Sequence, residues 1–131
     1  MKIKKSGSNA AKFAAIANST SSKKLSTRLE IADNSLSRAR GLMFRRLPAS
    51  ILFYFPSEDF YAIHSFFVPF EFDAIYLDAN SQVSGVFESI RPFSLYISPA
   101  KKSSMLLELP PGSAKKLNAQ IGDKISIKWR K

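Results

Sequence analysis

Short β-prone runs, each cut off by residues that set turn geometry, constrain this chain more than any other feature. Ile51-Leu52-Phe53-Tyr54-Phe55 stops at Pro56-Ser57-Glu58-Asp59. Ala79-Asn80-Ser81-Gln82 leads into Val83-Ser84-Gly85-Val86-Phe87-Glu88-Ser89-Ile90, which Arg91-Pro92 ends. Ser104-Met105-Leu106-Leu107-Glu108-Leu109 stops at Pro110-Pro111-Gly112, and Ile121-Gly122-Asp123-Lys124 turns into Ile125-Ser126-Ile127-Lys128-Trp129. Pro withholds a ladder donor and Gly weakens a strand interior, so these residues mark strand ends. Many short strands with such turns between them point to a sandwich or a small barrel. In the last run Ile125, Ile127 and Trp129 alternate with polar residues, as in a half-exposed closing strand.

The amino-terminal part adds a hairpin and a helix. Ile16-Ala17-Asn18-Ser19-Thr20 and Lys24-Leu25-Ser26-Thr27-Arg28-Leu29-Glu30-Ile31-Ala32 bracket a Ser/Lys turn, and Leu25, Leu29 and Ile31 share one parity. Asp33-Asn34-Ser35 offers an N-cap, and behind it Leu36, Ala39, Arg40 and Met43 recur at i, i+3, i+4 and i+7. Gly41 costs about 1 kcal/mol relative to Ala inside a helix. It therefore either ends the helix or marks a backbone lying close against another element. Ser113 offers a cap for one or two further turns over 114–117. The expected fold is mostly β: a small antiparallel barrel-like domain, one short helix after the first hairpin and a second near the C-terminus. Residues 1–14 mix Lys, Ser, Gly, Asn and Ala without a period and read as a basic flexible tail, with one domain over 15–131.

Composition removes several chemistries. A chain of 131 residues suffices for one core without staples, and the absence of cysteine excludes disulfides, thiolate nucleophiles and sulfur-ligated metals. With one histidine, a zinc site would need a carboxylate-dominated shell. No apolar run approaches the roughly 20 residues of a spanning helix, and the apolar piece behind the basic start is too short for an export signal, so a cytoplasmic location is expected. The net charge is +10, and seven of the 20 basic residues precede the first acid, Glu30, leaving 13 basic against 10 acidic residues. Such a leader is either a solvated tail or an arm for a polyanion such as RNA, through Lys2, Lys4, Lys5 and the helix-end Arg46.

Arg38-Ala39-Arg40-Gly41-Leu42-Met43-Phe44-Arg45 resembles the Arg-x-x-Gly-Leu-Met-x-Arg signature of the family called domain of unknown function 192. The run ending at Phe55-Pro56, the stretch Ile63-His64-Ser65-Phe66-Phe67 through Asp73-Ala74-Ile75-Tyr76-Leu77-Asp78, Leu107-Glu108-Leu109-Pro110-Pro111-Gly112, and Ile121-Gly122-Asp123 follow in the family's order. The resemblance covers roughly residues 16–129 and looks like the archaeal variant. Glu71 stands where the family usually has Pro, and Val68 where archaeal relatives often have Met. It implies a compact, mostly antiparallel barrel-like domain with a short helix, and no assigned activity.

The most apolar stretch, 63–78, also holds the only histidine, His64, and the acids Glu71, Asp73 and Asp78. A carboxylate such as Asp73 among Phe72, Ala74 and Ile75 must find a partner or bear a large desolvation cost. Arg40 or Arg45 would pair with Asp73 or Glu108 and lock helix to barrel, or the arginines would instead line a pocket for a carboxylate or phosphate. A bend at Val68-Pro69 would bring His64 toward Asp73, and with Ser65 they would form a small hydrolase, although no nucleophile-elbow motif supports one. The acid pairs Glu58-Asp59 and Glu71/Asp73 suit a metal only with a loop motif that is missing, and the isolated glycines make no phosphate cradle. The apolar loop residues Phe93, Leu95, Tyr96 and Ile97 suit a pocket lid or a partner surface.

These readings favour a non-catalytic binding module over an enzyme, with no cofactor or metal. It would take a small ligand at Arg40, Arg45, His64, Asp73 and Glu108, or a protein partner. Polyanion binding and the small hydrolase are the alternatives.

Overall fold

The computed structural model describes residues 11–94 and 96–130. Seven strands form one sheet: β1 (Lys12–Asn18), β2 (Lys23–Ala32), β3 (Ser50–Asp59), β4 (Phe72–Leu77), β5 (Val83–Ile90), β6 (Ser103–Leu109) and β7 (Ile125–Trp129), in the spatial order β5-β4-β6-β3-β2-β1-β7. Every neighbouring pair is antiparallel except β2 and β3, which run parallel. A parallel pair needs a crossover, and the one here carries helix α1 (Ser35–Arg40). A second short helix, α2 (Ser113–Lys116), follows β6.

The sheet curls into a half-barrel, in keeping with the barrel-like expectation. Its two edge strands approach at one end: Val83 N donates to Asp123 O at 2.8 Å, Gly122 N to Val83 O at 2.8 Å and Ile125 N to Ser81 O at 2.9 Å. Because successive side chains on a strand point to opposite faces, the central strands β3, β4 and β6 feed two cores. Leu52, Ile75, Leu77, Leu107 and Leu109 pack on one face with Ile16, Leu29, Leu117 and Ile125. Ile51, Phe53, Phe72, Ala74, Tyr76 and Leu106 pack on the other with Leu42 and Val68. β4 is buried along its whole length, which explains why Asp73 is its only charged residue.

The expected cap of α1 is present as a reciprocal pair. Asn34 Oδ1 accepts from Ser37 N at 2.9 Å, and Ser37 Oγ accepts from Asn34 N at 3.3 Å. Gly41 then does both things that a glycine there suggests. It ends the helix at φ 45°, and a Cβ in its place would lie 3.2 Å from Phe53 Cζ. The Leu36 and Ala39 side chains of the expected apolar stripe lie outside the described residues, and Met43 is half-buried.

Three local expectations are corrected, and one stretch divides. Pro56-Ser57-Glu58-Asp59 does not turn but continues β3; residues 56–59 are exposed, and pairing to β6 shifts register before resuming at Asp59 opposite Ser103. A proline is tolerated in such an irregular stretch because no ladder bond is asked of it. β1 starts at Lys12, inside the stretch read as tail. The apolar stretch 63–78 divides between two kinds of structure: residues 60–71 form an irregular loop, held by the Ile63–Ile97 bridge, and only Phe72–Leu77 enters the sheet. At α2 the cap is Gly112 (φ 91°), not Ser113, and the helix amides are satisfied from β4, as described below.

Candidate functional site

Glu108 is the residue around which a site can be built. It lies on β6 next to Leu107 but with opposite parity, so it faces the same side as Leu106. Its cross-strand neighbours are Ala74 on β4 and Ile51 on β3, neither of which has a side-chain polar group. It is 6% exposed and has no hydrogen bond among the described residues. Burial pushes its carboxyl up to about 8, against a smaller opposing pull from the Arg45 guanidinium.

The expected arginine partner is present but engaged elsewhere. Arg45 makes a two-pronged bridge to Glu30 on β2, with Nη1–Oε2 at 2.6 Å and Nη2–Oε1 at 2.8 Å, and its Nε donates to Gly41 O at 3.1 Å. A fork of this geometry is the strong form of an ion pair. The hydrogen bond from Arg45 holds the Glu30 carboxyl below its ordinary value, and the same bond raises Arg45 further. The sequence reading did not single out Glu30, whose partner is distant along the chain and meets it only through the α1 crossover.

Over Glu108 opens a cavity of about 310 Å³. Its deep surface is Phe53, Phe72 and Leu106 with the Glu108 carboxyl, and Phe55, Tyr61 and Ile63 form half-buried walls. Phe55 and Tyr61 stack with ring centroids 3.8 Å apart. Tyr61 O accepts from the buried Tyr76 hydroxyl at 2.7 Å, which ties the wall to β4. Burial, with smaller contributions from Glu108 and Tyr96, raises the Tyr76 phenol well above its ordinary range, so it stays a neutral donor. At the mouth stand Arg38, Arg40, His64 and Ala62. Arg38 is oriented by the hydrogen bond from its Nη1 to Tyr54 O at 3.2 Å.

Of the residues read as a ligand site, the structure thus brings Arg40, His64 and Glu108 to one cavity. Arg45 stands behind it. Asp73 does not join them. It shares parity with Ile75 and Leu77 and lies on the opposite face of the sheet, fully buried. Its partners are backbone amides, not an arginine: Ser89 N at 2.8 Å to Oδ1, and Gly112 N at 3.1 Å and Ala114 N at 2.9 Å to Oδ2. Asp73 therefore supplies the cap that the glycine at the start of α2 cannot.

The hydrolase set is not assembled either. His64 is exposed, and its Nδ1 accepts from Phe66 N at 3.2 Å. Ser65 is buried, donating to Arg91 O at 2.5 Å and accepting from Ser94 N at 2.7 Å. These bonds pin the loop of 60–71 to the loop after β5. No three His, Asp or Glu side chains among the described residues gather as metal ligands. Lys2, Lys4 and Lys5 lie outside the described residues, and Arg46 is exposed. Of the apolar loop, Ile97 pairs with Ile63, Phe93 and Tyr96 are exposed, and Leu95 lies outside the described residues. Phe93, Tyr96 and Ile97 do not line the cavity; Phe93 instead sits edge-on to Phe66, which is tilted against the exposed Phe67.

The fold defines a class, a small β half-barrel with a short helix in its parallel crossover. Within that class, the family model of domain of unknown function 192, described as an uncharacterized ACR, matches residues 16–127, and the chain belongs to that family. The UPF0127 protein of Pyrococcus abyssi is 36% identical over 112 residues, covering 84% of this chain and 94% of that one. The UPF0127 protein of Pyrococcus horikoshii is 35% identical over 103 residues, covering 77% and 86%. Among solved structures, a protein of unknown function from Novosphingobium aromaticivorans superposes with a TM-score of 0.78 at 20% identity, covering 94% of this chain and 89% of that one. A Sinorhizobium meliloti protein provisionally described as a transcription regulator gives 0.79 at 22% identity, covering 92% and 96%. At such identities the two structures establish the fold alone. No helix of the described residues is long and apolar enough to cross a membrane.

Proposed function

We propose that this domain is a non-catalytic small-ligand-binding module whose site is the cavity over Glu108. The observation that carries this reading is a carboxyl, 6% exposed and without a hydrogen bond among the described residues, facing an aromatic-lined opening. A polar group drawn this far out of water with no protein partner bears a desolvation cost. Structure alone gives no return for that cost, whereas a ligand that completes the hydrogen bond does. Apolar walls with a few convergent polar groups are the usual make-up of small-molecule sites.

The test is a fragment screen by ligand-observed NMR, run in parallel on the wild type and on Ala62→Trp. Ala62 is exposed at the mouth, so an indole there obstructs entry without disturbing the core. Binding that disappears in the Trp variant supports the reading. Fragments that bind both proteins equally, or neither, overturn it.

A further inference from the structure

We propose that the occupant of this cavity is a small organic monoanion with a flat apolar body. Its acid group would meet Arg38 and Arg40 at the mouth, and a carbonyl oxygen at its inner end would accept a hydrogen bond from the Glu108 carboxyl. This rests on the binding reading above and assigns the ligand's chemistry from three separate features of the cavity.

The first is the charge around the mouth. Two guanidinium groups stand there, while the deep surface holds only Glu108 as an ionisable group. Arginine carries its charge throughout the accessible pH range and presents a planar fork suited to carboxylates. Arg38 spends one N–H on Tyr54 O, leaving the others for a ligand. A ligand of net positive charge would meet this field unfavourably.

The second is the state of Glu108. The ionisable and charged groups near it are Tyr76 from β4, Arg45 behind Gly41, Arg38 and Arg40 from α1, and Tyr61 and His64 from the 60–71 loop. None of them hydrogen-bonds it, because Arg45 is committed to Glu30 and Gly41 and the Tyr76 hydroxyl to Tyr61 O. Burial keeps the carboxyl mainly protonated at neutral pH. A neutral carboxyl in an apolar setting is a hydrogen-bond donor, so its natural partner is an acceptor atom. The third is the wall material. Phe53, Phe55, Tyr61 and Phe72 offer rings but no further donor aimed inward. A cavity of about 310 Å³ lies at the small end of ligand sites, which run from about 300 Å³ upward.

Three probes separate these features: 3-(4-acetylphenyl)propanoate, 3-(4-ethylphenyl)propanoate without the ketone, and 3-(4-ethylphenyl)propylamine. Calorimetric titration of the full chain at low salt is expected to show the keto acid binding at pH 6.5, and binding at least about tenfold tighter than the acid lacking the ketone. Raising the pH to 9 ionises Glu108 and should weaken the keto acid about tenfold, since each pH unit beyond the carboxyl's midpoint is a factor of ten. Glu108→Gln, which keeps a donor but cannot ionise, should retain the ketone preference and lose the pH dependence. Arg40→Gln should weaken both acids and leave the ketone preference in place.

If the amine binds instead, more tightly as pH rises, and Glu108→Gln abolishes it, the ligand is a cation. The chemical class then fails while the binding site stands. The class fails equally if neither acid binds, or if the two acids bind alike with no pH dependence. If Ala62→Trp leaves every binding event unchanged, the cavity is not the site and both proposals fall.

Discussion

Replacing Glu108 with glutamine should make this protein more stable at pH 8, and by an amount that depends on pH in a defined way. In the unfolded chain a glutamate ionises near its ordinary value of 4.5, while burial holds Glu108 protonated up to about 8 in the folded protein. Below pH 4.5 both states carry the proton and pH has no leverage. Between 4.5 and 8 the unfolded state loses it and the folded state does not, so unfolding becomes steadily easier as pH rises. At 1.36 kcal/mol per pH unit, that window is worth on the order of 5 kcal/mol. The glutamine variant has no proton to lose and should lack this decline. The assay is urea denaturation at half-unit steps from pH 4 to pH 9, followed by the fluorescence of Trp129, the only tryptophan. Glu30 does not confuse the window, because its depressed carboxyl affects stability only below pH 4.5. The difference between variant and wild type should therefore open between pH 5 and pH 8 and then level. Two parallel curves would refute the reasoning, for they would mean that Glu108 ionises in the fold as it does in water.

Other expectations follow from the same contacts. Asp73→Asn replaces a charged acceptor of three backbone amides with a neutral one; urea unfolding should show a loss of about 2–3 kcal/mol, with fragment binding unchanged because Asp73 faces away from the cavity. Gly41→Ala puts a Cβ 3.2 Å from Phe53 Cζ at a φ of 45°. Chemical denaturation should show it destabilised by about 1–3 kcal/mol. Arg45→Ala breaks a half-buried fork and should cost about 1 kcal/mol after allowing for solvent screening. It should also flatten the acid limb of the stability curve below pH 4.5, where the wild type loses the Glu30 contribution as that carboxyl takes up a proton.

The architecture was legible because its signals are local. Turn residues delimit the strands, Asn34 caps α1 through a neighbour three positions on, and Gly41 announces a sharp stop. The family motifs added the rest of the fold. What stayed hidden was set by contacts distant in sequence. The parallel pairing of β2 with β3 has no signature in either strand, and without it Glu30 cannot be placed beside Arg45. Parity held more than was read from it. Leu107 and Leu109 alternate with Leu106 and Glu108, and Ile75 and Leu77 with Ala74 and Tyr76, which by itself puts Glu108 and Asp73 on faces that depend on how β6 registers against β4. Asp73 lies opposite Leu109 and Glu108 opposite Ala74, so the two acids separate. A grouping by chemical type placed them together, and only the register divides them. Pro56 misled for a related reason, since a proline ends a strand only where the ladder asks it for a proton.

The pairing of β1 with β7 leaves the two ends of the sheet's chain side by side, with Arg130 N donating to Phe13 O at 2.9 Å. The domain is in effect a ring cut at one point, and the position of the cut carries little structural information. A few glycines and serines bridging Arg130 to Lys12 would close a loop with a small entropic cost. Reopening the ring at the exposed Ala79-Asn80 turn should give a permuted protein with the same circular dichroism and the same cavity, but with its ends moved to the far side of the fold. Attachment points for a reporter or a surface tether are thus interchangeable in this domain.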